Sequence, residues 1–228
     1  LYCTPTLQTP TTATMRAARR QEIARLAERQ GLIVIEDEVF GFLPPDRPPP
    51  LAAYAPDRTI LVASLSKSAA AGLRVGYLHA PEAMVAPLRS AVALTAGMPS
   101  PLLLEIASRW VEEGTAERLN AVQREHAANR QVMARQLLSG QRISSDSQAM
   151  HLWLTLPDHW SDEAFAIAAE QSDVRLQPAS RFLATPGPAP AAVRLCLSHE
   201  ASDARVLEGL ARLAALLEGT TRDTAEGP

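Results

Sequence analysis

Lys67 is the one lysine of the sequence; the other 21 of its 22 basic side chains are arginines. The bias matters chemically. A guanidinium keeps its proton near neutrality, whereas a partly desolvated ε-ammonium has a lowered pKa, loses its proton and can form an imine with an aldehyde. Lys67 stands in Ser64-Leu65-Ser66-Lys67, directly after the run Thr59 to Ala63, and the two neighbouring hydroxyls suit phosphate oxygens. Further on, Gly72-Leu73-Arg74-Val75-Gly76 offers a guanidinium for bidentate pairing with a phosphate, between glycines that let the backbone come close. Glu36-Asp37-Glu38 follows the apolar run Leu32 to Ile35, where a carboxylate can hold the protonated nitrogen of a heterocycle. Each feature also has a plain structural reading. An arginine-biased genome leaves one lysine by chance, a strand-end Asp caps a helix, and GxRxG forms a turn.

The elements around these residues decide between the readings. Thr11, Thr12 or Thr14 can cap a helix from about Met15 to Gln30, with Ile23, Leu26 and Ala27 on its apolar side and Gly31 at its end. Leu1 to Cys3 reads as the tail of a strand, and Leu32 to Ile35 as a buried strand after the helix. Such alternation builds parallel sheets with helices on their faces. Thr59 to Ala63 and Arg74 to Leu78 supply two more strands of this kind, and ligands of open α/β sheets bind at the carboxyl edge, where Lys67 would face a crevice. Pro44, Pro45, Pro48, Pro49 and Pro50 mark a surface loop.

From Pro81 the pattern turns helical: Pro81 to Thr95, Pro101 to Glu113, and Thr115 to Leu138. Strands at Met150 to Leu156, Val174 to Leu176 and Ala192 to Leu197 follow, with a helix from Asp162 to Gln171 and a closing helix. In that last helix Val206, Leu210, Leu213 and Leu217 form one apolar stripe. The sequence thus predicts residues 1–100 as part of a larger sheet domain and 101–218 as a smaller domain with its preceding long helix. Residues 219–228 are predicted to be a flexible tail.

Composition excludes several classes. The 228 residues are 46% hydrophobic with a formal charge of -3, which fits a folded globular chain and gives no electrostatic footprint for nucleic acid. Cys3 and Cys196 have neither disulfide-framework nor zinc spacing, and His79, His126, His151, His159 and His199 are scattered, so no metal is predicted. Trp110, Trp153 and Trp160 read as packing anchors of the smaller domain. With no membrane-length apolar stretch and no leader, a cytoplasmic location is predicted.

Taken together, Ser64-x-Ser66-Lys67 followed by Arg74-x-Gly76, with Asp37 on an earlier strand end, resembles the fold-type I superfamily dependent on pyridoxal 5'-phosphate (PLP), specifically the class I/II aminotransferase domain. Pro5-Thr6-Leu7-Gln8-Thr9-Pro10-Thr11-Thr12-Ala13-Thr14-Met15, the segment IVIEDEVFGFL and Leu73-Arg74-Val75-Gly76-Tyr77 resemble MocR-type transcription regulators of the GntR superfamily, over Leu1 to about Leu217. The resemblance implies an α/β fold: the C-terminal part of the large, mainly parallel-sheet domain plus a smaller α/β domain. It implies that Lys67 holds PLP covalently, that Asp37 pairs with the pyridine nitrogen, and that Arg74 with Ser64 or Ser66 binds the phosphate. It also implies that Arg194 grips the carboxylate of an amino acid, although an Arg between apolar neighbours can instead end in a structural ion pair.

The sequence departs from the family at two cofactor positions. Thr9 stands where the family has an Asn amide and Phe40 where it has a Tyr phenol, both aimed at the 3'-oxygen of PLP. Losing two donors weakens cofactor tuning, which favours retention of a bound amino compound over rapid turnover. The first part of the large domain is expected before Leu1, so the chain is expected to be a fragment with only about four strands of the large sheet. The leading expectation is therefore a PLP-binding effector domain that senses an amino acid or amine. It would form a homodimer when complete and reach DNA only through an N-terminal domain outside this chain. An active aminotransferase is the alternative.

Overall fold

The computed structural model describes residues 1–219, and the expected tail lies outside the described residues except for Gly219, which ends the last helix. The chain divides into two compact units, one of residues 1–8 and 13–124, the other of residues 9–12 and 125–228.

The first unit is built on a four-stranded sheet of order β1-β2-β3-β4: β1 (Tyr2–Cys3), β2 (Val34–Asp37), β3 (Thr59–Ser64) and β4 (Gly76–His79). β1, β2 and β3 are parallel, with Cys3 opposite Glu36 and Asp37 opposite Val62. β4 runs antiparallel to β3, pairing Ser64 with Gly76, which corrects its expected parallel direction. The physical reason is the short return after β3: α3 (Leu65–Ser68) and a 3-10 turn at Ala71–Leu73 leave too little chain for a parallel crossover.

Helix α1 (Ala17–Gln30) ends at Gly31, whose φ of 62° is the left-handed cap expected from sequence. Its start differs from expectation, because Arg16 is the N-cap and no threonine side chain caps it. Thr14 Oγ1 instead accepts from Leu7 N–H. Ala24 and Ala27 pack on Val34, Leu51 and Ala55, while Leu26 is exposed. Helix α2 (Leu51–Tyr54) follows the proline loop, and α4 (Glu82–Ala96) and α5 (Pro101–Glu112) follow β4.

The second unit carries an antiparallel sheet of order β5-β6-β8-β7: β5 (Arg142–Ser144), β6 (His151–Thr155), β7 (Gln177–Pro178) and β8 (Ala192–Cys196). Helix α6 (Thr115–Leu137) contains the boundary between the units; α7 (Asp162–Gln171) and α8 (Asp203–Gly219) belong to the second. Ser161 caps α7 by accepting from Ala164 N–H at 3.1 Å. The stripe Val206, Leu210, Leu213 and Leu217 is buried, as expected, against Leu152, Leu154, Phe165 and Val193. Pairing in the strand predicted at Val174 to Leu176 lies instead at Gln177–Pro178, while Val174 and Leu176 pack on that core.

Of the tryptophans, Trp160 packs edge-on to Phe165 at 5.3 Å in the second core. Trp110 instead joins the first unit's cluster of Leu65, Leu73 and Val75. His151 is buried and the other four histidines are exposed.

Candidate functional site

The triplet at the end of β2 is sorted by strand alternation. Glu36 and Glu38 fall on one face and are buried; Asp37, between them, falls on the other. Glu36 accepts from Leu51 N–H at 2.6 Å and Ala52 N–H at 3.0 Å, so it holds the start of α2. Glu38 accepts from Thr6 Oγ1 and from Arg20 Nη1, both at 2.9 Å, and from Arg47 Nη1 at 3.2 Å. Arg20 is wholly buried and also donates to Met15 O at 3.0 Å and Thr6 Oγ1 at 2.8 Å. Burial pushes the Glu36 carboxyl above its usual range. Nothing in the sequence reading singled out Arg20 or Thr6; an arginine on an amphipathic helix reads as a surface residue.

Asp37 is half-buried and held at both oxygens. Oδ1 accepts from Val39 N–H at 3.1 Å and Oδ2 accepts from the Tyr2 phenol at 2.6 Å. Register places Asp37 beside Val62, two residues before Ser64 on β3, so the carboxylate and the turn after β3 share one end of the sheet.

That turn is fixed from within. Ser64 is the N-cap of α3: its Oγ accepts from Ser66 N–H at 3.1 Å and lies 3.3 Å from Val75 O, to which it donates. Leu65 N–H donates to Val75 O at 3.1 Å, tying the Ser66-Lys67 turn to the chain beside Arg74. Leu65, Leu73 and Val75 are buried against Ala107 of α5 with Leu103, Leu104 and Trp110 around them. These anchors leave Lys67 and Arg74 exposed on neighbouring turns. Among the described residues neither cation has a hydrogen-bond or ion-pair partner. No described residue covers Lys67. Arg74 adopts a left-handed φ of 52°, unusual for a residue other than glycine and a mark of local strain. Gly76 leaves room for β3: a methyl group there would meet Ala63 O at 3.2 Å.

Phe40 lies in the turn after β2 and Thr9 in the second unit, preceding a cis Thr9–Pro10 bond. Also in the second unit, Arg194 pairs across β6 and β7 with Trp153 and Gln177. Its guanidinium carbon lies 5.7 Å from the Phe182 ring centroid, and Trp153 meets the same ring edge-on at 6.1 Å. Arg194 makes no ion pair among the described residues, and its Nε is buried without a hydrogen bond.

Chemically, the first unit thus assembles an uncommitted primary amine, an uncommitted guanidinium, a serine hydroxyl and an oriented carboxylate. No group of three His, Cys, Asp or Glu among the described residues could hold a metal ion. No helix among them is long and apolar enough to cross a membrane.

The sequence pattern of the family described as aminotransferase class I and II matches residues 3–213. An uncharacterised HTH-type transcriptional regulator of Bacillus subtilis, YdeF, is 30% identical over 221 residues, 97% of this chain and 48% of that protein. The 2-aminoadipate transaminase of Thermus thermophilus is 28% identical over 232 residues, 96% of this chain and 57% of that enzyme. Among solved structures, the α-aminoadipate aminotransferase LysN of Thermus thermophilus, complexed with N-(5'-phosphopyridoxyl)-L-leucine, superposes with a TM-score of 0.87. It is 25% identical, with 97% of this chain and 59% of that one covered. The chain spans about half the length of the curated relatives it matches. These relatives include both HTH-type regulators and transaminases, and the fold they share is that of the fold-type I aminotransferases, mixed α/β with a parallel-containing sheet.

Proposed function

The chain belongs to the aminotransferase class I and II family, and on that premise we propose that it is the PLP-binding, aminotransferase-like effector part of a MocR-type transcription regulator. In this reading it senses an amino acid or amine, works as a cytoplasmic homodimer, and influences DNA through a separate domain of the whole protein. The observation that carries the regulator reading is the alignment with YdeF over 97% of this chain. Phe40, which has no hydroxyl, and Thr9 add weight, because a less finely tuned cofactor site favours holding a ligand over rapid turnover.

The donor set suits PLP. Arg74 and the Ser66 hydroxyl, which has no partner among the described residues, can take phosphate oxygens, and the Lys67 amine can take an aldehyde. Asp37 can keep a pyridine nitrogen protonated. When bound, PLP supplies an electrophilic carbonyl for amines and a ring that accepts electron density. The protein's part is to bind and to hold protons. Arg74 neutralises phosphate charge and fixes the ring's position. Asp37, fixed by Val39 N–H and the Tyr2 phenol, retains the proton at the ring nitrogen. Lys67 would hold the cofactor through its amine, and Arg194 would grip the carboxylate of an amino compound. Ser64 holds the turn that presents Lys67 rather than spending its hydroxyl on ligand. Binding an amino compound then shifts a conformational equilibrium that the whole protein transmits.

The test uses the protein encoded by the complete reading frame. PLP should generate the near-visible absorbance of a lysine-bound cofactor in the unaltered protein and none in Lys67→Ala; an unchanged spectrum in the variant refutes the site. Amino compounds should then alter operator binding in a gel-shift assay. The second reading, a working aminotransferase, is favoured by the alignment with the Thermus transaminase and by intact Lys67, Asp37 and Arg74. Sustained conversion of an amino acid and a 2-oxo acid, with no effect on DNA binding, would put it first.

A further inference from the structure

We infer that Tyr2 is a positioning residue for the cofactor carboxylate: from β1 it reaches across to β2 and fixes the rotation of Asp37 without touching the cofactor itself. The inference rests on the PLP reading above and deepens it.

Tyr2 pairs with Ile35, two residues before Asp37 along β2. Tyr2, Ile35 and Asp37 therefore share one face of the sheet, and Tyr2 and Asp37 are diagonal neighbours. Diagonal pairs on a sheet lie about 7–8 Å apart at the backbone, a gap that a long aromatic side chain closes and a short one does not. The phenol closes it, donating to Asp37 Oδ2 at 2.6 Å.

The other oxygen is committed to Val39 N–H. A carboxylate held at one oxygen can still rotate about its terminal bond; held at both, by a backbone donor on its own chain and a phenol from the adjacent strand, it cannot turn without losing one bond. Each oxygen keeps a further lone pair, so a ring N–H can be accepted while both protein bonds persist. Tyr2 thus prepares the acceptor before the cofactor arrives, which lowers the ordering cost of binding. The phenol's own ionisation reports the contact: the hydrogen bond to Asp37, then burial, raises its pKa above the usual tyrosine value.

The role is distinct from that of the buried network behind the strand. Glu36 and Glu38 fix the backbone of β2 from the opposite face, whereas Tyr2 acts on the Asp37 side chain alone.

The experiment measures PLP dissociation constants, by absorbance titration, for the complete protein and its Tyr2→Phe, Asp37→Ala and doubly substituted forms. Tyr2→Phe keeps the ring and removes only the donor, and thermal unfolding of each form checks that the fold is kept. Tyr2→Phe should weaken PLP binding by about 3- to 10-fold when Asp37 is present, the range for loss of one hydrogen bond to a charged group moderated by its presence before binding. In the Asp37→Ala background the same change should have almost no effect. An equal loss in both backgrounds would show a merely structural role, and no loss in either would show that Tyr2 does not position Asp37. Both outcomes overturn the inference while PLP binding by the unaltered protein stands. If the unaltered protein binds no PLP, the cofactor reading fails and the inference with it. Ultraviolet pH titration of the cofactor-free protein gives an independent readout: one phenol should ionise late, and Asp37→Ala should return it to the ordinary range.

Discussion

Replacing Arg20 with Met should destabilise the protein by about 3–5 kcal/mol, the usual consequence of removing one partner of a buried ion pair. The magnitude follows from what remains. Arg20 has no exposed surface, and its Nη1 lies 2.9 Å from Glu38 Oε1 and 3.6 Å from Glu36 Oε1. Without the guanidinium, two buried carboxylates share a site with Arg47 as the nearest remaining cation, and the carbonyl of Met15 loses a donor. Met fills much of the volume, so little of the loss comes from a cavity. In a chain of this size each kcal/mol moves the melting temperature by about 2–4 °C, so the expected fall is about 6–20 °C. Denaturant unfolding followed by circular dichroism measures it, and a Glu38→Gln change in the Arg20→Met background should recover part of the loss because one uncompensated charge is gone. A loss below about 1 kcal/mol for Arg20→Met, or further destabilisation in the double variant, would refute the reasoning.

Glu36 should give stability a pH dependence. Its carboxyl is raised above the ordinary value of 4.5, so the native state holds the proton more tightly than the unfolded chain, and this contribution is present below 4.5 and lost as pH rises through the native value. Glu36→Gln should flatten that decline, and equal slopes in both proteins, from denaturation midpoints at several pH values, would count against it. Cys3, pushed up to about 11 by burial and then by the charge of Glu36, should resist a maleimide or aryl disulfide reagent at pH 8 while exposed Cys196 reacts; peptide mapping of the label decides. Leu210→Ala, emptying a buried position of the second core, should cost about 2–5 kcal/mol in unfolding free energy, and a change below about 1 kcal/mol would show that the stripe is not core. Gly41→Ala should weaken the fold through overlap of its methyl group with the Glu38 carboxylate, which Arg20 holds in place; an unchanged melting temperature would count against it.

Much of this was legible in the sequence because it is local. Gly31 ends α1, α7 runs from Asp162 to Gln171, and the spacing of Val206, Leu210, Leu213 and Leu217 gives the buried stripe. Asp37 ends β2 and Lys67 follows β3 in α3, as their places after apolar runs suggested, whereas Arg74, expected to open a strand, lies two residues before β4. What was not legible depends on distant partners. Arg20 is buried because Thr6 and Glu38, 14 and 18 residues away, complete its hydrogen bonds. The direction of β4 is set by the short return after Ser64, which an apolar run does not encode. Strand β5, only Arg142–Ser144, has no apolar run of its own and exists because β6 supplies its hydrogen bonds. Tyr2 looked like the frayed end of a strand, since the sequence alone does not show which residue on a neighbouring strand it will meet.

The arrangement of Glu36, Asp37 and Glu38 also guards against error during folding. If β2 slid by one residue against its neighbours, every side chain would change faces: Asp37 would enter the apolar interior and both glutamates would turn outward. Arg20 would then be sealed in without either carboxylate, and the backbone amides of Leu51 and Ala52 would lose their acceptor. A misaligned strand would therefore forfeit the ion pair and several hydrogen bonds at once, a penalty large enough to exclude it from the folded population. Glu36 and Glu38 thus fix the one register of β2 in which Asp37 stays on the opposite face of the sheet.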